Sequence, residues 1–194
     1  MSSPRTSELS FRELVFSDLA RYRDDAEPSW LKVVLRCTTI PGMIASLIVR
    51  AQQCLGRSGH LRLANILRTV GVVTIGADFG PNMQIGTGLM LVHPVGVNIG
   101  YGLNIGNNVT LAAGVTAAAR DYEGQADRNE YATICDGAMI GTHAVLVGGV
   151  RIGRNAAVGA NAVVLKDVPD NAIVFGSPAR QVGVRELPNP TVDK

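Results

Sequence analysis

Between Ile134 and Val164 the chain reads ICDGAMIGTHAVLVGGVRIGRNAAVGANAVV, with Ile134, Ile140, Leu146, Ile152, Val158 and Val164 each six residues apart. A second series of the same period, Phe79, Ile85, Leu91, Val97, Leu103, Val109 and Val115, precedes it. A fixed short period over so many units marks a repeat architecture. Six residues make a short strand and a turn. Three such units make a triangular coil of 18 residues, and coils stack through parallel hydrogen bonds at about 4.8 Å. The aliphatic residue of each unit points into a narrow core, and the small residue that often follows it (Gly141, Gly153, Gly159) relieves crowding at the turn.

The composition agrees with this reading. Aromatics make up only 5% of the 194 residues, and 19 of the 22 glycines fall within 71–183. A thin prism has little room for large rings and many tight corners to turn. With 46% apolar and 18% charged residues, wholesale disorder is excluded. The net charge is +2 and no Lys/Arg block forms a nucleic-acid footprint. Cys37, Cys54 and Cys135 are scattered without metal-ligand spacing and read as reduced thiols of a cytoplasmic protein. The first ten residues lack an apolar signal core, and the 13-residue uncharged run Cys37–Val49 is too short to span a membrane and suits a buried helix.

Four segments depart from the repeat. Residues 1–70 read as a small helical domain. Phe11, Leu14, Val15 and Leu19 share one helical face, Ser10 and Glu13 form a capping box, and further helices are expected from Trp30, from Pro41 and on to Leu67, with a break at Gly56–Gly59. Residues 71–183 form the repeat domain, which ejects a polar loop over about 116–131. After Val164, Val168-Pro169 and Ser177-Pro178 break the period and form a terminal cap. Residues 184–194 read as a flexible tail. In the six-residue series that holds Ile99, Ile105 and Leu111, the earlier slots are Pro81, Thr87 and His93, so the coil is irregular around His93.

The ladder, the loop, the ending GSPARQV and the pieces FSDLARYRDD, ADFGP, IGTGLMLVHPVGVNIG, GAMIGTHA and VGANAVVLKDVP together resemble the serine acetyltransferases. These are hexapeptide-repeat acyltransferases with a left-handed parallel β-helix. Related branches carry their catalytic His in the ejected loop, which here has none. The resemblance implies direct acetyl transfer from acetyl-CoA to a hydroxyl of L-serine or a serine-like acceptor, without a metal, an acyl-enzyme or a permanently bound cofactor. It implies His93 as general base and Asp78 as the carboxylate that orients it. It places Asp24 (or its neighbour Asp25), position 92 and Arg128 at the acceptor. Ala112, Ala113, Gly141, Thr142 and Ala160 would line the pantetheine groove, with Lys166 and Arg180 near the coenzyme phosphates. His60 and His143 match no role and read as structural or surface residues. A homotrimer with sites between subunits is implied, two trimers pairing into a hexamer being the alternative.

Two departures from the family pattern bear on the acceptor. Val92 stands where an Asp usually precedes the catalytic His, and Asn129 stands where a second His follows the loop Arg. A sugar or polysaccharide hydroxyl is therefore the alternative acceptor. A non-catalytic hexapeptide scaffold is the reading from another class, disfavoured by the His-Asp pair.

Overall fold

The computed structural model describes residues 9–22, 27–81, 83–100, 102–119 and 131–186. Among these residues four helices come first: α1 Phe11–Tyr22, α2 Trp30–Cys37, α3 Pro41–Arg57 and α4 Leu61–Ile75. Their ends follow local chemistry. Ser10 and Glu13 form the reciprocal cap of α1, at 2.7 and 3.3 Å. Ser29 caps α2, Pro41 opens α3, and Gly76 ends α4 in the left-handed conformation. The uncharged run Cys37–Val49 is not one helix. Its Pro41 cannot continue the preceding turn, so the run is divided between the end of α2 and the start of α3. No helix among the described residues is long and apolar enough to cross a membrane.

From β1 (Asp78–Phe79) onward the chain winds through three faces. One stacks β1, β4 (Asn98–Ile99), β7 (Thr116–Ala118), β10 (Val145–Val147) and β13 (Val163–Val164). A second stacks β2 (Gln84–Ile85), β5 (Asn104–Ile105), β8 (Thr133–Ile134) and β11 (Arg151–Ile152). The third stacks β3 (Met90–Val92), β6 (Thr110–Ala112), β9 (Met139–Ile140), β12 (Ala157–Val158), β14 (Ala172–Phe175) and β15 (Arg180–Val184). Among the described residues every strand pairing is parallel except β14 with β15. This is the parallel coil that the six-residue period predicts, wound as the left-handed β-helix that the family resemblance implies, with the small helical part expected over residues 1–70 before it.

Each six-residue unit buries two side chains, not one. Val97 with Ile99, Leu103 with Ile105, and Val109 with Leu111 are all within 4% of complete burial. This corrects the first ladder. Phe79, Ile85 and Leu91 lie in strands and stack on Ile99, Ile105 and Leu111. Val97, Leu103, Val109 and Val115 occupy the other inward slot, two residues ahead of the strand position. The true ladder slips by two residues between Leu91 and Ile99. Because both slots are aliphatic, the slip leaves the six-residue count unbroken.

Three boundaries differ from the sequence reading. α4 runs past residue 70 to Ile75. Thr116–Ala118, expected in the ejected loop, is a coil strand, because Ala117 is small and apolar enough for the inward slot at 4% exposure. The last strand reaches Val184, and the Arg185 amide donates to the Asn171 carbonyl at 2.6 Å. Residues 187–194 lie outside the described residues.

Among the described residues no coil lies beneath the first, and the helices satisfy its backbone with polar side chains. Gln52 donates to the Phe79 carbonyl, Gln53 and Arg50 to that of Ile85, and Arg50 also to that of Gly86. Ser17 and Asp18 accept from the amides of Gly88 and Leu89. Arg50 and Asp18 are both fully buried, 2.7 Å apart, and Ser46 donates to the same carboxylate. A buried ion pair is tolerated where the remaining donors and lone pairs are also matched, as they are here.

Candidate active site

The strand registers place the predicted groove residues on one edge. Val92 pairs with Ala112, while Leu111 pairs with Ile140 and Ile140 with Val158. Backbone hydrogen bonds carry the register round the corner that leads into the β4 face. The Gly114 amide donates to the Val95 carbonyl, that of His143 to Ala113, and that of Asn161 to Thr142. Val95, Ala113, Thr142 and Ala160 thus form one column at this corner. Gly96, Gly114, His143 and Asn161 form the next, all with positive φ. Gly141 packs tightly in the same edge; a Cβ there would come within 2.7 Å of the Ala160 amide and 2.8 Å of the Val158 carbonyl.

His93 and Pro94 have no counterpart in these columns. Below the corner, coil neighbours are 20 residues apart (Val92 and Ala112), and beyond it 18 apart (Asn98 and Thr116). The two additional residues are His93 and Pro94. His93 is exposed in the left-handed conformation at φ 52°, and Pro94 is buried. The insertion that produces the ladder slip thus lifts one imidazole out of the wall at the foot of the small-residue edge. The other departure from regularity lies between β7 and β8, since Asn104 and Thr133 are stacked although 29 residues apart.

Asp78 lies beside this corner. Its amide donates to the Val97 carbonyl at 2.8 Å, and the Gly96 amide donates to the Gly76 carbonyl at 2.8 Å. Its carboxylate is held by Arg68 of α4, Nε to Oδ1 at 2.5 Å and Nη2 to Oδ2 at 2.7 Å. Among the described residues no hydrogen bond joins Asp78 to His93. Arg68 escapes the sequence reading because only the fold brings α4 against β1.

The end of α1 is tied to the strand that leads to His93. The Tyr22 hydroxyl accepts from the Leu91 amide at 3.0 Å and donates to the Leu91 carbonyl at 3.2 Å. Burial pushes its pKa up to about 12, so the phenol stays protonated at neutral pH. Arg21 reaches the Asn108 carbonyl and the Thr110 hydroxyl at 2.8 and 3.1 Å. Asp24, Asp25 and Arg128 lie outside the described residues. At the far end of the solenoid, Lys166 and Arg180 line one pocket of about 430 Å³. His60 is exposed at the start of α4, while the His143 ring covers Gly114, where a Cβ would overlap it.

Comparison with known proteins agrees with this architecture. The bacterial transferase hexapeptide family (six repeats) matches residues 131–166. A soybean serine acetyltransferase solved in complex with serine is 33% identical, with a TM-score of 0.75 over 91% of this chain and 71% of that one. The chain belongs to the serine acetyltransferase family. A serine acetyltransferase solved in complex with CoA is 30% identical, with a TM-score of 0.76 over 91% of this chain and 71% of that one. Serine acetyltransferase 4 of Arabidopsis thaliana is 32% identical over 87% of this chain, which spans 46% of the plant protein's length.

Proposed function

We propose that this chain is an acetyl-CoA-dependent O-acetyltransferase whose acceptor is L-serine or a serine-like small hydroxyl compound. The observation that carries the proposal is the two-residue insertion that sets His93 outside the wall, at the foot of an edge built from Ala113, Thr142 and Ala160. Serine and CoA bind to structural relatives.

Neutral His93 accepts the acceptor's hydroxyl proton as the oxygen attacks the thioester carbon. The tetrahedral oxyanion collapses, the C–S bond breaks, and the imidazolium returns its proton to the leaving thiolate of CoA. Asp78, beside the corner, orients the base and offsets the charge it acquires. The pantetheine arm runs up the edge past Ala112, Ala113, Gly141, Thr142 and Ala160, whose lack of bulk admits it. From His93 to the level of Ala160 is three coil steps, about 14 Å. Lys166 and Arg180, which share the pocket at the far end of the solenoid, receive the phosphates.

Asp24 and Arg128 are the acceptor's counter-charges for its amine and carboxylate. Tyr22, two residues before Asp24, is bonded to Leu91, two residues before His93, which supports a place for Asp24 near the base. The enzyme works in the cytoplasm as a homotrimer, or a hexamer of two trimers, with sites between subunits. Val92 favours a second reading, a sugar hydroxyl as acceptor, because an aliphatic side chain stands next to the base where an amine-binding Asp is usual. Acetyl-CoA thioester consumption measured with L-serine, homoserine and a set of sugars separates the two. Loss of turnover in His93→Ala with assembly intact supports the mechanism, and full turnover overturns it.

A further inference from the structure

The carboxylate assigned to orient His93 is itself held from outside the coil. Arg68 grips both Asp78 oxygens side-on, and the two side chains are 31% and 28% exposed. Each oxygen keeps lone pairs for a further donor. The same short segment supports the His93 corner, since Asp78 and Gly76 form the backbone hydrogen bonds to Val97 and Gly96. A connected series therefore runs from α4 through Arg68 and Asp78 to the turn that presents the imidazole. A partly exposed ion pair contributes little to stability. A two-pronged Arg–carboxylate pair, however, fixes the plane and direction of the carboxylate.

We propose that Arg68 is a positioning residue for acetyl transfer, setting through Asp78 the pose of the His93 ring. The proposal rests on the function proposed above. It makes the helical part contribute to catalysis, beyond covering the end of the coil.

The test uses the full chain carrying Arg68→Met, Arg68→Gln, Arg68→Lys, Asp78→Asn, and Arg68→Met combined with Asp78→Asn. Two readouts are taken: steady-state kinetics, and the ring resonances of 13Cε1-labelled histidine. The chain has only three histidines, so His93→Ala assigns the signal. Arg68→Met and Arg68→Gln should lower kcat roughly 10- to 100-fold. They should leave the KM for acetyl-CoA within about twofold and shift the His93 resonance. Arg68→Lys should recover most of the rate. In the Asp78→Asn background Arg68→Met should cost nothing more, the non-additivity expected of residues acting as a unit. If Arg68→Met fails to fold, Arg68→Gln is read in its place.

An unmoved His93 resonance, or losses that multiply in the double variant, overturns the proposal and leaves Arg68 as a structural tie. A wild-type chain that consumes no acetyl-CoA with any acceptor overturns the proposed function instead. The His93 resonance still decides whether Arg68 sets the ring.

Discussion

Tyr22 and Leu91 are joined through one phenol oxygen that serves both backbone groups of the leucine, accepting at 3.0 Å and donating at 3.2 Å. The contact locks the end of α1 to the strand whose next turn carries His93. It also carries a titration. The Tyr22 pKa is raised by burial to about 12, above its ordinary 10. A raised pKa contributes stability that is complete below pH 10 and lost as the pH rises toward 12, because the unfolded chain ionises first. A shift of this size corresponds to about 3 kcal/mol. Denaturant midpoints should fall across this window in the wild type, with a shallower slope in Tyr22→Phe, which also loses both hydrogen bonds.

Removing His93 and Pro94 together should make the first corner match those above it. Turnover should fall below detection. Thermal unfolding should fall by only several degrees, because neither residue fills an inward ladder slot and the loss is confined to buried Pro94 and its hydrogen bond from the Val97 amide. His93→Ala should lower kcat by roughly 10²- to 10⁴-fold with the acetyl-CoA KM little changed. Kinetics and calorimetry on the two variants separate the imidazole's chemistry from the shape of the turn.

Asp18→Ala leaves the Arg50 guanidinium buried without its counter-ion and frees the Leu89 amide. A loss of roughly 3–5 kcal/mol is expected in chemical denaturation. Asp18→Asn should cost less, because the amide oxygen still accepts.

Lys166→Glu with Arg180→Glu reverses the charge of the distal pocket. The KM for acetyl-CoA should rise about tenfold at low ionic strength and less at high salt, where screening already weakens the attraction. The kcat should hold, since both residues are remote from His93.

The repeat, the helical preface and the capping box were legible because each rests on spacing within a short window. The slip at His93 was hinted at by Pro81, Thr87 and His93 falling in a slot that is otherwise aliphatic. It was masked because Val97 and Ile99 are equally good core residues. The buried pair of Asp18 and Arg50 was missed, although an arginine closing an apolar run and followed by Gln52 and Gln53 is a readable sign of a satisfied polar core. Arg68 carried no such sign. It stands on a helix whose exposed neighbours include Ile66 and Val70, and its partner is set by the docking of α4 on β1.

The polar cover over the first coil has a consequence for how these molecules coexist at high concentration. Parallel strands stacked at a constant rise form a rod with a natural tendency to elongate, since a bare terminal turn is a template for another chain. Here the donors and acceptors a newcomer would need at Phe79, Ile85, Gly86, Gly88, Leu89 and Leu91 are already occupied by side chains of the same molecule. The helices thus act as a stopper against fibre growth, and end-to-end polymerisation is blocked at this terminus of the rod.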